Sequence, residues 1–128
     1  MYDIMVGIDA EMNRARMQAE SISELPGHDE IHAILVHVFE GEGGDIESVE
    51  AVSEAREILE EAGIDVTAEG STGDPPIALL DAAARHDADC LCVAGRKRSP
   101  TGKVIFGSVT QDVIMGAERP TFVCTLNE

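Results

Sequence analysis

The feature that most constrains the fold of this chain is an alternation between two hydrophobic patterns. Short apolar runs predict buried strands, and the segments between them carry apolar residues at steps of three and four, the period of a one-sided helix. The runs are 2–8 (YDIMVGI), 31–38 (IHAILVHV), 64–70 (IDVTAEG), 88–95 (ADCLCVAG) and 121–126 (TFVCTL). The resulting β-α-β-α-β-α-β-α-β order predicts the α/β class: an open five-stranded parallel sheet with four helices on its two faces, because crossovers between parallel strands are right-handed.

Residues that begin or end helices support this assignment. The first helix is expected to end before Pro26, and the second before Gly63, which suits the position just after a helix. Asp74 and Pro75 have the form of an N-cap followed by proline, so a third helix should run from there to about Arg85. The third apolar run alternates with polar residues, which favours an edge strand.

Composition limits the size, location and partners of the protein. A length of 128 residues predicts a single domain over 1–128. The net charge of −16 argues against binding nucleic acid or an anionic membrane, because the long-range field repels phosphate. The chain has no apolar run long enough to span a bilayer and no basic segment of the signal-peptide kind at its start, so we expect a cytoplasmic protein. The many Asp and Glu and the scarcity of Lys suggest a halophilic protein whose salt-rich cytosol screens the repulsion.

The cysteines and histidines do not predict a metal site. Cys90, Cys92 and Cys124 have no CxxC spacing, and the four His form no HxxxH pair. Cys90 and Cys92 should share one face of a strand as small buried hydrophobes in a reducing compartment. His37 is expected to be a core histidine rather than a ligand.

The stretch 93–108, VAGRKRSPTGKVIFGS, stands out because no Asp or Glu occurs from Cys90 to Gln111, whereas four of the nine Lys and Arg lie between Arg96 and Lys103. It follows the fourth predicted strand, and parallel sheets bind ligands beyond the carboxyl ends of their strands, where the strand order reverses. This stretch is therefore a candidate ligand site. Alternatively, it is a solvated loop that pairs with acidic neighbours.

A helix is expected to begin at the end of this stretch. Ser108-x-x-Gln111 has the form of a capping box, and Val109, Val113 and Ala117 are expected to face inward. Gly107 leaves room for a phosphate at the free N–H groups and positive dipole end of this helix. The stretch is not a P-loop, since the residue after Lys103 is valine, and the first strand–helix turn has no GxGxxG.

The chain resembles the universal stress protein family over nearly its whole length. The matching residues are Asp9 at the end of the first strand, His37-Val38 at the end of the second, Gly73-Asp74-Pro75 before the third helix, and GSVTQDVI from Gly107 onward. Nucleotide-binding members carry Gly-x2-Gly-x9-Gly-(Ser/Thr) after strand four. In this chain the last pair is Gly107-Ser108, but Ala94 and Lys97 stand where the first two glycines are expected.

The resemblance implies an adenine-nucleotide alpha-hydrolase-like fold with strand order 3-2-1-4-5. It also implies binding of ATP, with or without Mg²⁺, or another adenine nucleotide by a regulatory stress-response homodimer paired through 121–126. The implied cofactor-binding residues are Ile8, Asp9, Val38, Gly95, Arg96, Lys97, Gly107, Ser108 and Val109.

Three interpretations remain open at this point. The first is the nucleotide-binding regulatory protein, with no catalytic residues and at most incidental ATP hydrolysis. The second is a nucleotide-free interaction module in which Ala94 and Lys97 replace the glycines of the signature. The third is a small nucleotide-using enzyme. Asp9 likewise has two interpretations, as a ligand of the nucleotide or as a cap of the first helix.

Overall fold

The computed structural model describes residues 1–98 and 101–125. These residues form four α-helices and seven strands, with two short 3₁₀ helices at His28–Glu30 and Ile46–Ser48. The α-helices and strands are β1 (Tyr2–Gly7), α1 (Met12–Ser23), β2 (Ile31–Phe39), α2 (Glu50–Glu61), β3 (Asp65–Thr72), α3 (Pro75–Arg85), β4 (Cys90–Ala94), β5 (Lys97–Arg98), β6 (Val104–Ile105), α4 (Ser108–Gly116) and β7 (Thr121–Cys124).

Five of the strands form one parallel sheet in the order β3-β2-β1-β4-β7. This confirms the predicted class and order, with β3 at an edge. The basic stretch was predicted as a loop, but part of it forms an antiparallel hairpin in which Lys97 pairs with Ile105 and Arg98 with Val104. Leu126, which we assigned to the last strand, lies outside the described residues.

The sheet separates two hydrophobic layers. Ile4 and Val6 of β1 point into the layer formed with α1 and α2. Met5, between them, points into the layer formed with α3 and α4. Because central strands are covered on both faces, they read as continuous apolar runs in the sequence. No helix in the described part of the chain is both long and apolar enough to cross a membrane.

Helix boundaries follow the sequence at α2 and α3. Gly63 has φ +82°, the left-handed conformation that ends α2, and the Asp74 carboxylate accepts a hydrogen bond from the Ile77 N–H (3.4 Å) at the start of α3.

α4 begins at Ser108 as expected, but its capping residue and one helix face differ from the expectation, and one of the two interpretations of Asp9 is excluded. α1 is capped by Glu11 rather than by Asp9. The N-cap of α4 is Gly107, without a side-chain cap, so Ser108 is the first helical residue instead of the capping residue. Val109 does not face inward; it is 37% exposed, and of the three valine and alanine positions expected inside only Val113 is fully buried.

Candidate functional site

A cleft of about 710 Å³ opens at the carboxyl edge of the sheet. Its walls come from the turn after β1, the end of β2, and the segment that connects β4 to α4. β1 pairs with β2 on one side and with β4 on the other, so this is the point at which the strand order reverses. Topology therefore puts the cleft where an open parallel sheet binds its ligands.

The turn between β1 and α1 forms an acidic wall whose carboxylates already have donors. Asp9 accepts hydrogen bonds from the Glu11 N–H (2.9 Å) and from Arg14 Nε (2.8 Å). Glu11 accepts from the Arg14 N–H (2.7 Å) and thereby caps α1. The N-terminus of α1 is thus closed by its own side chain.

The ends of β1 and β2 supply an apolar wall. Ile8 is buried, and its carbonyl oxygen lies 2.8 Å from His37 Nδ1. This nitrogen carries the hydrogen, because a carbonyl oxygen can only accept. The His37 ring also packs edge-on against Phe39, with centroids 4.8 Å apart. His37 is therefore a half-buried residue with a partner, and Val38 beside it lines the cleft.

The floor contains Gln18, the buried polar side chain of the described core. It is 1% exposed, and its Nε2 donates to the Gly7 carbonyl oxygen (3.0 Å) and lies 3.5 Å from the Cys92 carbonyl oxygen. One amide of α1 therefore spans the seam between β1 and β4. Leu79 of α3 packs on Gly7 from the other hydrophobic layer, because a Cβ added at Gly7 would lie 3.3 Å from the Leu79 side chain.

The opposite wall is built by the segment that leaves β4. The Gly95 N–H donates to the Cys124 carbonyl (2.7 Å), and the Arg96 N–H donates to the Ile105 carbonyl of the hairpin (2.8 Å). Thr110 Oγ1 donates to the Ala94 carbonyl (3.0 Å), which fixes the first turn of α4 against the end of β4.

The side chain of Arg96 lies against the start of α4. A Cβ added at Gly107 would be 3.0 Å from Arg96 Nε and 3.4 Å from its Nη2. Gly107 has φ −73°, so the requirement for glycine here is one of space and not of backbone conformation. The guanidinium and the glycine together form a basic wall.

The first turn of α4 contains backbone N–H groups that can donate hydrogen bonds to a ligand. The first bond of this helix runs from the Gln111 N–H to the Gly107 carbonyl, so the N–H groups of residues 108–110 have no partner within the helix. The partial positive charge of the helix dipole lies at the same place. Ser108 and Val109 are exposed and line the cleft here. Such an arrangement attracts an anion.

Most of the nine residues predicted from the sequence meet in this cleft. Its lining includes Ile8, Asp9, Val38, Arg96, Gly107, Ser108 and Val109. Gly95 is buried next to Arg96, and Lys97 continues into β5.

Sequence reasoning missed Arg14 and Gln18. A glutamine on the apolar face of α1, among Ala15, Ala19 and Ile22, was a usable signal for Gln18. The pairing of Arg14 with Asp9 had no such signal. Among residues 1–98 and 101–125, no group of three or more His, Cys, Asp or Glu is arranged to hold a metal ion.

Comparison with known proteins identifies relatives with this fold. The model of the universal stress protein family matches residues 1–125. A universal stress protein from Archaeoglobus fulgidus is 30% identical, with a TM-score of 0.73 over 97% of this chain and 98% of that one. No curated protein sequence matches significantly.

Two further structures share the fold at lower identity. One is the universal stress protein from Archaeoglobus fulgidus in complex with dAMP (23% identity, TM-score 0.75, 97% of this chain and 98% of that one). The other is a universal stress protein family protein from Arabidopsis thaliana with AMP bound (18% identity, TM-score 0.72, 99% and 93%). By its sequence, its strand order and the match over residues 1–125, the chain belongs to the universal stress protein family.

Proposed function

We propose that this protein binds an adenine nucleotide in the cleft. The base lies against the apolar wall near Ile8, Asp9 and Val38, and the phosphates lie at the basic wall. The dAMP and AMP complexes of two relatives with the same fold support adenine nucleotides as the ligand class.

One observation carries this proposal: the Arg96 guanidinium lies against Gly107 at the uncapped N-terminus of α4. A guanidinium and a row of backbone N–H groups converge there in a chain with a net charge of −16. Both kinds of donor bind phosphate oxygens well, and charge-assisted hydrogen bonds are the strong ones. Gly95, Lys97, Ser108 and Val109 complete the proposed phosphate-binding segment.

We further infer that the functional unit is a regulatory stress-response homodimer joined through the edge strand β7. Thr121, Phe122 and Val123 of this strand are only half-buried in the single chain. An edge strand has a free row of backbone groups, which a second copy can pair with. ATP, with or without Mg²⁺, is the ligand expected for such a regulator, and the acidic surface suits a salt-rich cytosol.

The test is a calorimetric titration of AMP and of ATP, with and without Mg²⁺, into nucleotide-free protein in molar KCl. We expect micromolar binding that weakens at least 100-fold in Gly107→Val, because the branched side chain displaces Arg96 and covers the N-terminus of α4. Ser53→Val is the control, since Ser53 is exposed on α2, away from the cleft. Absence of binding in a folded wild-type protein would refute the proposal and favour the nucleotide-free module, in which Ala94 and Lys97 have replaced signature glycines.

A further inference from the structure

Two cysteines from neighbouring strands face each other beneath the cleft. Cys92 of β4 pairs in register with Phe122 of β7, and Cys124 lies two residues further along β7. Their Sγ atoms are 3.7 Å apart, and the residues are 0% and 4% exposed. Both side chains point into the layer that contains α1.

Helix α1 supplies a hydrogen-bond donor to the pair. Gln18 Nε2 lies 3.8 Å from Cys92 Sγ. Donors aimed at sulfur stabilise a thiolate, as the outer partners of metal-binding ligands do.

The geometry does not favour a disulfide between these residues. With a strand spacing of about 4.8 Å and a rise of about 3.3 Å per residue, Cα atoms offset by two residues on adjacent strands lie about 8 Å apart. A disulfide requires Cα atoms within about 7 Å, so the backbone would have to move. A metal ion between the sulfurs requires a smaller change, because two metal–sulfur bonds of about 2.3 Å in a line put the sulfurs about 4.6 Å apart, about 0.9 Å more than their 3.7 Å separation.

We propose that Cys92 and Cys124 form a two-coordinate site for a soft monovalent metal ion, Cu(I). On binding, the two thiols release two protons and form a linear S–Cu–S unit with one net negative charge. The Gln18 N–H stabilises that charge in the core. Soft thiolate ligands select Cu(I) over the harder cations. The proposal does not rest on the proposed nucleotide function, although Gln18 belongs to both sites.

The third cysteine provides a matched control. Cys90 is buried on the same face of β4, but its Sγ lies near its neighbour's backbone, 3.2 Å from the Leu91 carbonyl oxygen. Replacing Cys90 therefore removes a buried thiol without touching the pair.

The experiment titrates the reduced protein anaerobically with Cu(I) in competition with bathocuproine disulfonate. We expect the wild-type chain and Cys90→Ala to take up one equivalent, Cys92→Ala and Cys124→Ala to take up none, and Gln18→Leu to bind about 10-fold more weakly. X-ray absorption of the copper-loaded wild-type protein, which requires no variant, should give two sulfur neighbours. The proposal is overturned if the wild-type protein takes up no Cu(I), if Cys90→Ala loses the ion as well, or if the absorption spectrum shows ligands other than two sulfurs.

Discussion

Two helices begin at the same edge of the sheet, on opposite walls of the cleft, and their first turns differ in one respect. At α1 the carboxylate of Glu11 caps the helix, and Asp9 holds Arg14 beside it. At α4 the N-cap is Gly107, no side chain caps the helix, and the Arg96 guanidinium lies alongside. The first N-terminus is neutralised by the chain itself, whereas the second is open to an external anion.

This difference shows why topology alone does not locate a phosphate site. Both helices have the dipole and the free N–H groups that favour an anion. At α1 the capping carboxylate of Glu11 supplies the negative charge. At α4 the N-cap is a glycine, so the negative charge has to come from a ligand. The residue at one position in each turn thus decides which helix is free to bind phosphate.

Converting the second N-terminus into the first should have the largest effect. In Gly107→Asp the new carboxylate caps α4 and pairs with Arg96, so we expect AMP affinity to fall at least 100-fold. The free energy of unfolding should stay equal or rise by a few tenths of a kcal/mol, because aspartate caps slightly better than glycine. Calorimetry and chemical denaturation measure the two quantities. If this variant still bound AMP, the uncapped N-terminus of α4 would not be the phosphate site that distinguishes it from α1.

The two arginines should contribute unequally to binding. A hydrogen bond to a charged group is worth about 1.5–3 kcal/mol, so Arg96→Ala should weaken AMP binding roughly 10- to 100-fold. Arg14→Ala should change it by less than about threefold, because that guanidinium already pairs with Asp9. Adenosine, which lacks phosphate, is the control ligand: an equal loss of adenosine affinity in Arg96→Ala would show that the arginine acts on the fold and not on phosphate.

The cap of α1 should affect stability rather than binding. Glu11→Ala removes the carboxylate that accepts from the Arg14 N–H, and loss of an N-cap costs about 1 kcal/mol of unfolding free energy. We expect AMP affinity to change less than about threefold. Urea denaturation measures the change in stability. If Glu11→Ala instead gained AMP affinity by as much as Arg96→Ala loses, the N-termini of both helices would bind the ligand.

An ion pair remote from both walls should have the smallest effect and a defined pH dependence. Burial alone would raise the pKa of Glu69, but hydrogen bonds from Arg85 (2.7 Å) and His86 outweigh it and lower the pKa. The stabilisation is therefore present above the unfolded pKa of about 4.3 and is lost as the pH falls through the lower folded value. Glu69→Gln should cost under about 1 kcal/mol at pH 7, and the denaturation curves of the two proteins should converge as the pH falls below the lowered pKa of Glu69. If the difference in unfolding free energy between the two proteins stayed constant with pH, the ionised carboxylate of Glu69 would not be the source of the stabilisation.

The order of helices and strands along the chain could be predicted because it depends on local patterns, whereas the strand order within the sheet came from the resemblance to the family. Apolar runs, Gly63 and the Asp74-Pro75 pair mark the elements, and α/β topology then places the ligand edge. The start of α4 at Ser108 was predicted correctly, but its capping residue was not, because Gly107 and Ser108 are both acceptable caps. Val109 was expected inside from its spacing, but the first turn of α4 lies at the open cleft, so the apolar face there has nothing to pack against.

Contacts between residues far apart in sequence could not be read from the chain. The hairpin in the basic stretch and the Arg96–Gly107 contact depend on the path of the chain after β4. The approach of Cys92 to Cys124 depends on the register between β4 and β7. Gln18 is intermediate: its polar side chain on an apolar helix face was visible in the sequence, but its bond to Gly7 across the seam was not.

The central position of β1 orders events during synthesis of the chain. Residues 2–72 contain β1, β2 and β3, which are neighbours in the sheet and can pair as soon as they leave the ribosome. The cleft does not exist until β4 has joined the free side of β1 and α4 has followed it. If the proposed nucleotide binds, it can therefore stabilise only the completed molecule, in which it would slow the detachment of β4 from β1.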